Sequence, residues 1–283
     1  MRASLEWLTV AGSSFSATTG RLGHAQLSHY TAAYREWGEG PPLVLIPGLA
    51  GGLELLAPLA RRLANGRRVI AYQLRGEDDC FALRRRFGLT DLVEDLAEFV
   101  EALGLERPDL FGVSFGGVLG LEFAARHPYR LRSLGVQGVG ARFERSLLQR
   151  IAGLVLSGFP LPTDSAFVNQ FFQLLFGRRQ QPGPLFEFVT RQCWTTDQSV
   201  MAHRFRLVRR IDLRDRLGRV RVPTLVIGGE RDVLVSPRSL DDLCAGVARS
   251  KRVVLPGIGH LAFVAHPERV AAEVNSFLGP LDD

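Results

Sequence analysis

Gly112-Val113-Ser114-Phe115-Gly116 decides how this chain is read. The apolar run Asp109-Leu110-Phe111 leads into it, and small and apolar residues from Gly117 to Arg126 follow. The order is strand, sharp turn, helix. Glycine two places either side of the serine lets strand and helix pass close to it. The serine must then take a strained backbone conformation that lifts its hydroxyl out of the sheet. In a chain of 283 residues with 30 glycines such a pattern also arises by chance, so its surroundings carry the argument.

Upstream, Leu43-Val44-Leu45-Ile46 is a continuous apolar run, which predicts a central parallel strand buried on both faces. Pro47-Gly48-Leu49-Ala50-Gly51-Gly52 follows, then a helix to about Asn65 and a strand from Arg68 to Gln73. After a turn-rich loop, Leu74 to Asp79, Thr90 is expected to cap a helix reaching Leu103. Its Leu92, Leu96, Phe99, Val100 and Leu103 recur at helical spacing. Downstream come strands at 131–136, 224–227 and 251–255, with helices from Pro237 to Val247 and Pro267 to Leu278. Two N-terminal strands, Ser4 to Val10 and Leu27 to Trp37, are expected as an antiparallel edge, separated by a Gly/Ser/Thr-rich turn region. This alternation predicts an α/β protein with a doubly wound, mostly parallel sheet, whose strand C-termini form the ligand-binding edge.

Between 140 and 211 the strand signal disappears. Segments 144–157, 164–177, 184–193 and 197–211 read as helices, punctuated by Pro160, Pro162, Pro182 and Gly183. The expected division is a core of 1–139 and 212–283, covered by a helical cap of 140–211. Phe159, Phe167, Phe171, Phe172, Phe176, Phe186, Phe188 and Trp194 make the cap aromatic, so most should pack it down and a few should line an apolar pocket.

Composition is that of an ordinary globular chain, 46% hydrophobic and 23% charged. No run approaches the roughly eighteen apolar residues of a membrane span. Glu6 interrupts the one short apolar run near Arg2, which argues against a signal peptide. Three separated cysteines, Cys80, Cys193 and Cys244, read as free thiols of a cytoplasmic protein, with no metal-like spacing. The formal charge of +6 comes from scattered arginines, Lys251 being the only lysine, which speaks against nucleic acid as a partner. A monomer or homodimer is expected.

A serine hydroxyl is a poor nucleophile at neutral pH. It needs a base, and the base needs an anchor that fixes its tautomer and stabilises its charge. Asp232 lies just past the strand at 224–227, and His260 in a Gly-flanked loop past the strand at 251–255. A parallel sheet brings both to the edge where Ser114 sits. Glu144 is a weaker alternative acid.

On these residues the chain resembles the α/β-hydrolase fold superfamily from about residue 27 to 278. The resemblance rests on Pro47-Gly48-Leu49 after an apolar strand, the serine turn, Gly229-Glu230-Arg231-Asp232, Gly257-Ile258-Gly259-His260, and the order Ser…Asp…His. It implies an eight-stranded sheet, with Ser114 as nucleophile, Asp232 as acid and His260 as general base. It also implies an oxyanion hole from the backbone N–H groups of Leu49 and Phe115, a cap at 140–211, and no cofactor or metal. Two departures stand out. Pro47 replaces a common histidine, and only Arg75-Gly76 survives of the usual Asp-x-Arg-Gly-x-Gly-x-Ser loop, to which no chemistry is assigned. Gly48, Phe171, Trp194, Leu234 and Leu261 are the candidate pocket residues.

Relatives that open epoxides or displace halide carry aspartate at the turn, so serine points to acyl transfer. The expected activity is hydrolysis of small-to-medium apolar carboxylic esters through an acyl-enzyme. A diketone C–C hydrolase, a thioesterase or lactonase, and a perhydrolase would use the same triad. Arg191 or Arg204 facing the pocket would favour a diketone acid, and His203 is a candidate substrate contact. From another class, a ligand-sensing or partner-binding member of the fold would keep the triad. His127 and His266 read as structural.

Overall fold

The computed structural model describes residues 9–10, 13–14, 20–77, 86–143, 147–157, 166–177 and 183–282. Eight strands form one sheet: β1 (Arg21–Gln26), β2 (Thr31–Trp37), β3 (Pro42–Ile46), β4 (Arg68–Tyr72), β5 (Asp109–Val113), β6 (Ser133–Gln137), β7 (Thr224–Gly229) and β8 (Ser250–Leu255). Their spatial order is β1-β2-β4-β3-β5-β6-β7-β8. From β4 to β8 every pair is parallel, and the β1–β2 hairpin adds antiparallel to β4. Helices α1 (Gly52–Leu63), α2 (Leu89–Ala102), α3 (Phe115–Arg126), α4 (Leu147–Ser157), α5 (Ala166–Phe176), α6 (Pro184–Cys193), α7 (Gln198–Val208), α8 (Arg214–Leu217), α9 (Pro237–Gly246), α10 (Ala262–Ala265) and α11 (Pro267–Asp282) accompany it.

The apolar run of β3 divides between two cores. Val44 and Ile46 join one buried cluster and Leu43 and Leu45 the other, so the sheet is covered on both faces. A strand buried on both sides has no polar face to show, which is why it reads as an unbroken apolar run.

The N-terminal edge differs from expectation. Leu27–Tyr30 is a turn, closed by the Leu27 N–H donating to the Tyr30 carbonyl at 3.0 Å, and only Thr31–Trp37 is strand. Its partner is Arg21–Gln26, inside the stretch read as turn-rich. Of that edge strand only Ala25 is buried, so it carries no apolar alternation. Of Ser4 to Val10 only Thr9–Val10 falls within the described residues, paired with Ser13–Ser14 in a separate two-stranded ladder. Helix α2 begins one residue before Thr90. Gly88 is its N-cap, and the Asp91 carboxylate accepts the Gly88 N–H at 2.6 Å, so Asp91 supplies the cap that Thr90 was expected to give. Glu144 and Cys80 lie outside the described residues.

Candidate active site

Ser114 joins β5 to α3 at φ 50° and ψ −114°, a conformation L-residues rarely hold. Close packing enforces it. A Cβ on Gly112 would lie 2.3 Å from the Gly116 carbonyl oxygen, and one on Gly116 2.3 Å from that of Ile46. Strand, turn and helix are thus in backbone contact. The Ser114 N–H donates to the Gln137 carbonyl at 2.8 Å, tying the turn to β6.

His260 Nε2 lies 2.9 Å from Ser114 Oγ, and His260 Nδ1 lies 2.8 Å from Asp232 Oδ2. A carboxylate can only accept, so Nδ1 carries the proton and Nε2 keeps a lone pair for the serine hydroxyl. The other Asp232 oxygen accepts the N–H groups of Leu234 at 2.8 Å and Val235 at 3.1 Å. The aspartate is thereby fixed as an oriented anion. The His260 carbonyl accepts from Gln137 Nε2 at 2.9 Å. Behind the ring stands Gly138, at φ 68°, where a Cβ would sit 2.9 Å from Cε1. The side chains of Asp232 and His260 are 2% and 7% exposed, so the dyad works away from water.

Ser114 and His260 form part of the wall of a cavity of about 240 Å³. All five candidate pocket residues line it: Gly48, Phe171, Trp194, Leu234 and Leu261. Leu49 and Phe115 line it as well, and among the described residues neither backbone N–H donates to another backbone carbonyl outside regular elements. Helices α4, α5 and α7 supply much of the rest, including Ala152, Val155, Leu175, Met201 and Phe205. Sequence reasoning had not singled these out, although their helical spacing in an insertion beside a site was the available signal. Polar groups in the wall are few. Gln149 donates to the Leu234 carbonyl at 2.9 Å, linking α4 to the loop that holds Asp232. Burial pushes the Cys193 thiol up to about 12, which removes it as a nucleophile at neutral pH. Arg142 also lines the wall.

Three expectations are corrected here. Arg191 is exposed and lines no part of this cavity. Arg204 is fully buried behind it, because its guanidinium already has partners. It pairs with Glu77, and it donates to the carbonyls of Leu49 at 3.2 Å and Arg75 at 2.9 Å. Thr196 closes the same network, donating to Glu77 at 3.2 Å and accepting the Gly51 N–H at 3.0 Å. His203 is turned to Phe87, whose carbonyl it meets at 2.7 Å, and not to the cavity. Glu77 stands in the loop to which no chemistry was assigned. Its role is to anchor the arginine that holds the Leu49 loop. Among the described residues no group of three His, Cys, Asp or Glu side chains could hold a metal ion, and no helix is long and apolar enough to cross a membrane.

Residues 41–267 match the model of the alpha/beta hydrolase fold family. The chain belongs to that family. It is 27% identical over 257 residues to a putative carbamate hydrolase, RutD, of Azorhizobium caulinodans, covering 88% of this chain and 95% of the relative. It is 29% identical over 200 residues to a pimeloyl-[acyl-carrier protein] methyl ester esterase of Neisseria meningitidis, covering 68% and 64%. It is 40% identical over 116 residues to a 2-hydroxy-6-oxo-2,4-heptadienoate hydrolase of Pseudomonas putida, covering 38% and 41%. All three are hydrolases, and so is this alpha/beta hydrolase.

Proposed function

We propose that this hydrolase cleaves carboxylic esters of small-to-medium apolar substrates through an acyl-enzyme on Ser114. The observation that carries the reading is the hydrogen-bonded run Ser114–His260–Asp232 opening on an apolar cavity. His260 takes the Ser114 proton as Oγ attacks the carbonyl carbon, then gives it to the leaving alcohol. Asp232 holds the ring and stabilises its cation. The Leu49 and Phe115 N–H groups receive the oxyanion, each contributing roughly 2.7–4 kcal/mol to the transition state. Water, activated by the same histidine, releases the acid. Residues 140–211 act as a cap that sets the acyl pocket.

The relatives' names support attack at a carbonyl carbon, since a carbamate, an ester and an oxo-dienoate all present one. They differ in the bond that breaks. A diketone acid would need a cation for its carboxylate, and with Arg204 committed to Glu77, Arg142 is the arginine that the described residues place in the cavity wall.

A fluorophosphonate probe followed by peptide mapping tests the nucleophile. Label is expected on Ser114, and Ser114→Ala should lose label together with roughly 10⁴-fold or more of kcat. Folded protein that labels elsewhere, or not at all, sinks the assignment. A panel of p-nitrophenyl esters graded by chain length, run beside a diketone acid, then tests the substrate class. Negligible turnover of every member, with ligand-dependent thermal stabilisation, would favour the sensing role instead.

A further inference from the structure

Residues 140–211 carry ten arginines against four carboxylates, a surplus of six that equals the net charge of the whole chain. The remainder of the protein is neutral. The net positive charge of the chain is therefore carried by this segment of the sequence.

Helix α4 has two apolar faces. Gln149, Ala152, Val155 and Leu156 look into the cavity. Leu147, Ile151 and Leu154 form a stripe at i, i+4 and i+7 on the other side, exposed by 71%, 37% and 75%. Soluble proteins seldom leave such a row of large aliphatic residues in water without a use for it. Arg150 stands at the edge of this stripe and is exposed. Helix α7 packs on α4 and brings Arg209, whose Nη1 lies 3.6 Å from where a Cβ on Gly153 would stand. Arg206 on the same helix and Arg210, in the turn just past its end, are exposed as well. Among the described residues none of these four arginines is paired with a carboxylate.

Exposed leucines with guanidinium groups alongside match one kind of surface. A nucleic acid would satisfy the arginines and leave the leucines in contact with phosphate and water. An anionic lipid interface satisfies both, with acyl chains for the stripe and headgroup phosphates for the arginines. We infer that the outer face of α4 docks on an anionic lipid surface, inserting Leu147, Ile151 and Leu154 among the acyl chains with Arg150 and Arg209 at the phosphates. The inner face of the same helix lines the cavity, so docking sets the cavity beside the membrane phase in which an apolar ester is concentrated. That benefit rests on the ester reading, whereas the docking does not.

The test therefore separates binding from turnover. Full-length Ser114→Ala protein is sedimented with vesicles of pure phosphatidylcholine and of phosphatidylcholine mixed with phosphatidylglycerol. Association with the mixed vesicles, weakened by salt, is the expected result. Leu147→Ser/Leu154→Ser and Arg150→Glu/Arg209→Glu should each lower the partition coefficient roughly tenfold or more. With Ser114 restored, the leucine variant should hydrolyse a short water-soluble ester as the parent does, which shows that it folds. Three results overturn the proposal. One is no association with anionic vesicles. Another is association indifferent to the leucine substitutions. The third is a parent dimer that the leucine variant dissociates, since a second copy then covers the stripe.

Discussion

Gly138→Ala offers a close test of how His260 is held. A Cβ at this position would lie 2.9 Å from the ring Cε1 and 3.1 Å from Nδ1. Carbon–carbon contacts are comfortable only from about 3.5 Å, so the ring must withdraw by roughly 0.6 Å or more. The ring is the free end of a side chain with two torsions, and it will give way before the backbone does. Any such shift disturbs the 2.9 Å contact between Nε2 and Ser114 Oγ. Misplacement on the order of 1 Å at a reacting centre costs about 10²-fold, and a loss of that order in kcat/KM is expected. Alanine at φ 68° also carries a backbone cost of about 1–2 kcal/mol. Gly104→Ala isolates that cost, because Gly104 has φ 61° with nothing within 4 Å of the added methyl. Both variants should lose similar stability by urea denaturation, and only Gly138→Ala should lose ester turnover and slow its fluorophosphonate labelling. If Gly138→Ala stays within about threefold of the parent in turnover while matching Gly104→Ala in stability, the account of His260 is wrong.

Two further outcomes follow from the buried network and from His203. Arg204→Met removes donors from the Leu49 and Arg75 carbonyls and leaves Glu77 buried without its cation, so unfolding free energy should fall by about 3–5 kcal/mol in urea titrations. Adding Glu77→Gln should recover part of that loss, whereas strictly additive losses would show that the pair is not coupled. Burial holds the imidazole of His203 below its ordinary pKa of about 6.5, so on acidification the unfolded chain takes up a proton before the folded one. The stability it confers is complete above about pH 6.5 and declines as pH falls toward the folded value. Melting temperatures followed downward through that range should drop more steeply for the parent than for His203→Gln, and parallel curves would count against the assignment.

What was legible in the sequence is what short-range chemistry controls. Leu43-Val44-Leu45-Ile46 announced a doubly buried strand because neither face of β3 meets water. Gly112 and Gly116 announced the turn because a Cβ at either one would collide with backbone. Asp232 and His260 could be placed because parallel strands deliver their C-termini to one edge, whatever the separation along the chain. What escaped was controlled from far away. Arg21–Gln26 is a strand only because Thr31–Glu36 pairs with it, and apart from Ala25 it buries no side chain. Arg204 looked like any other arginine facing a pocket. Its burial is decided by Glu77, 127 residues earlier, and no local pattern encodes such a partner. The start of α2 escaped for a local reason: the carboxylate of Asp91, one residue after Thr90, reaches back to the Gly88 N–H.

The Arg204–Glu77–Thr196 network also bears on how such enzymes can be recombined. The loop after β3 receives hydrogen-bonding partners from two residues of the segment between β6 and β7: Arg204 on the Leu49 carbonyl and Thr196 on the Gly51 N–H. That segment is therefore not a detachable lid on a finished catalytic base. A chimera that takes the helices of another relative without an equivalent arginine and threonine would strand Glu77 in the interior and leave the Leu49 loop unsupported. Exchange of substrate pockets within this architecture would then need Glu77, Thr196 and Arg204 to travel as a set.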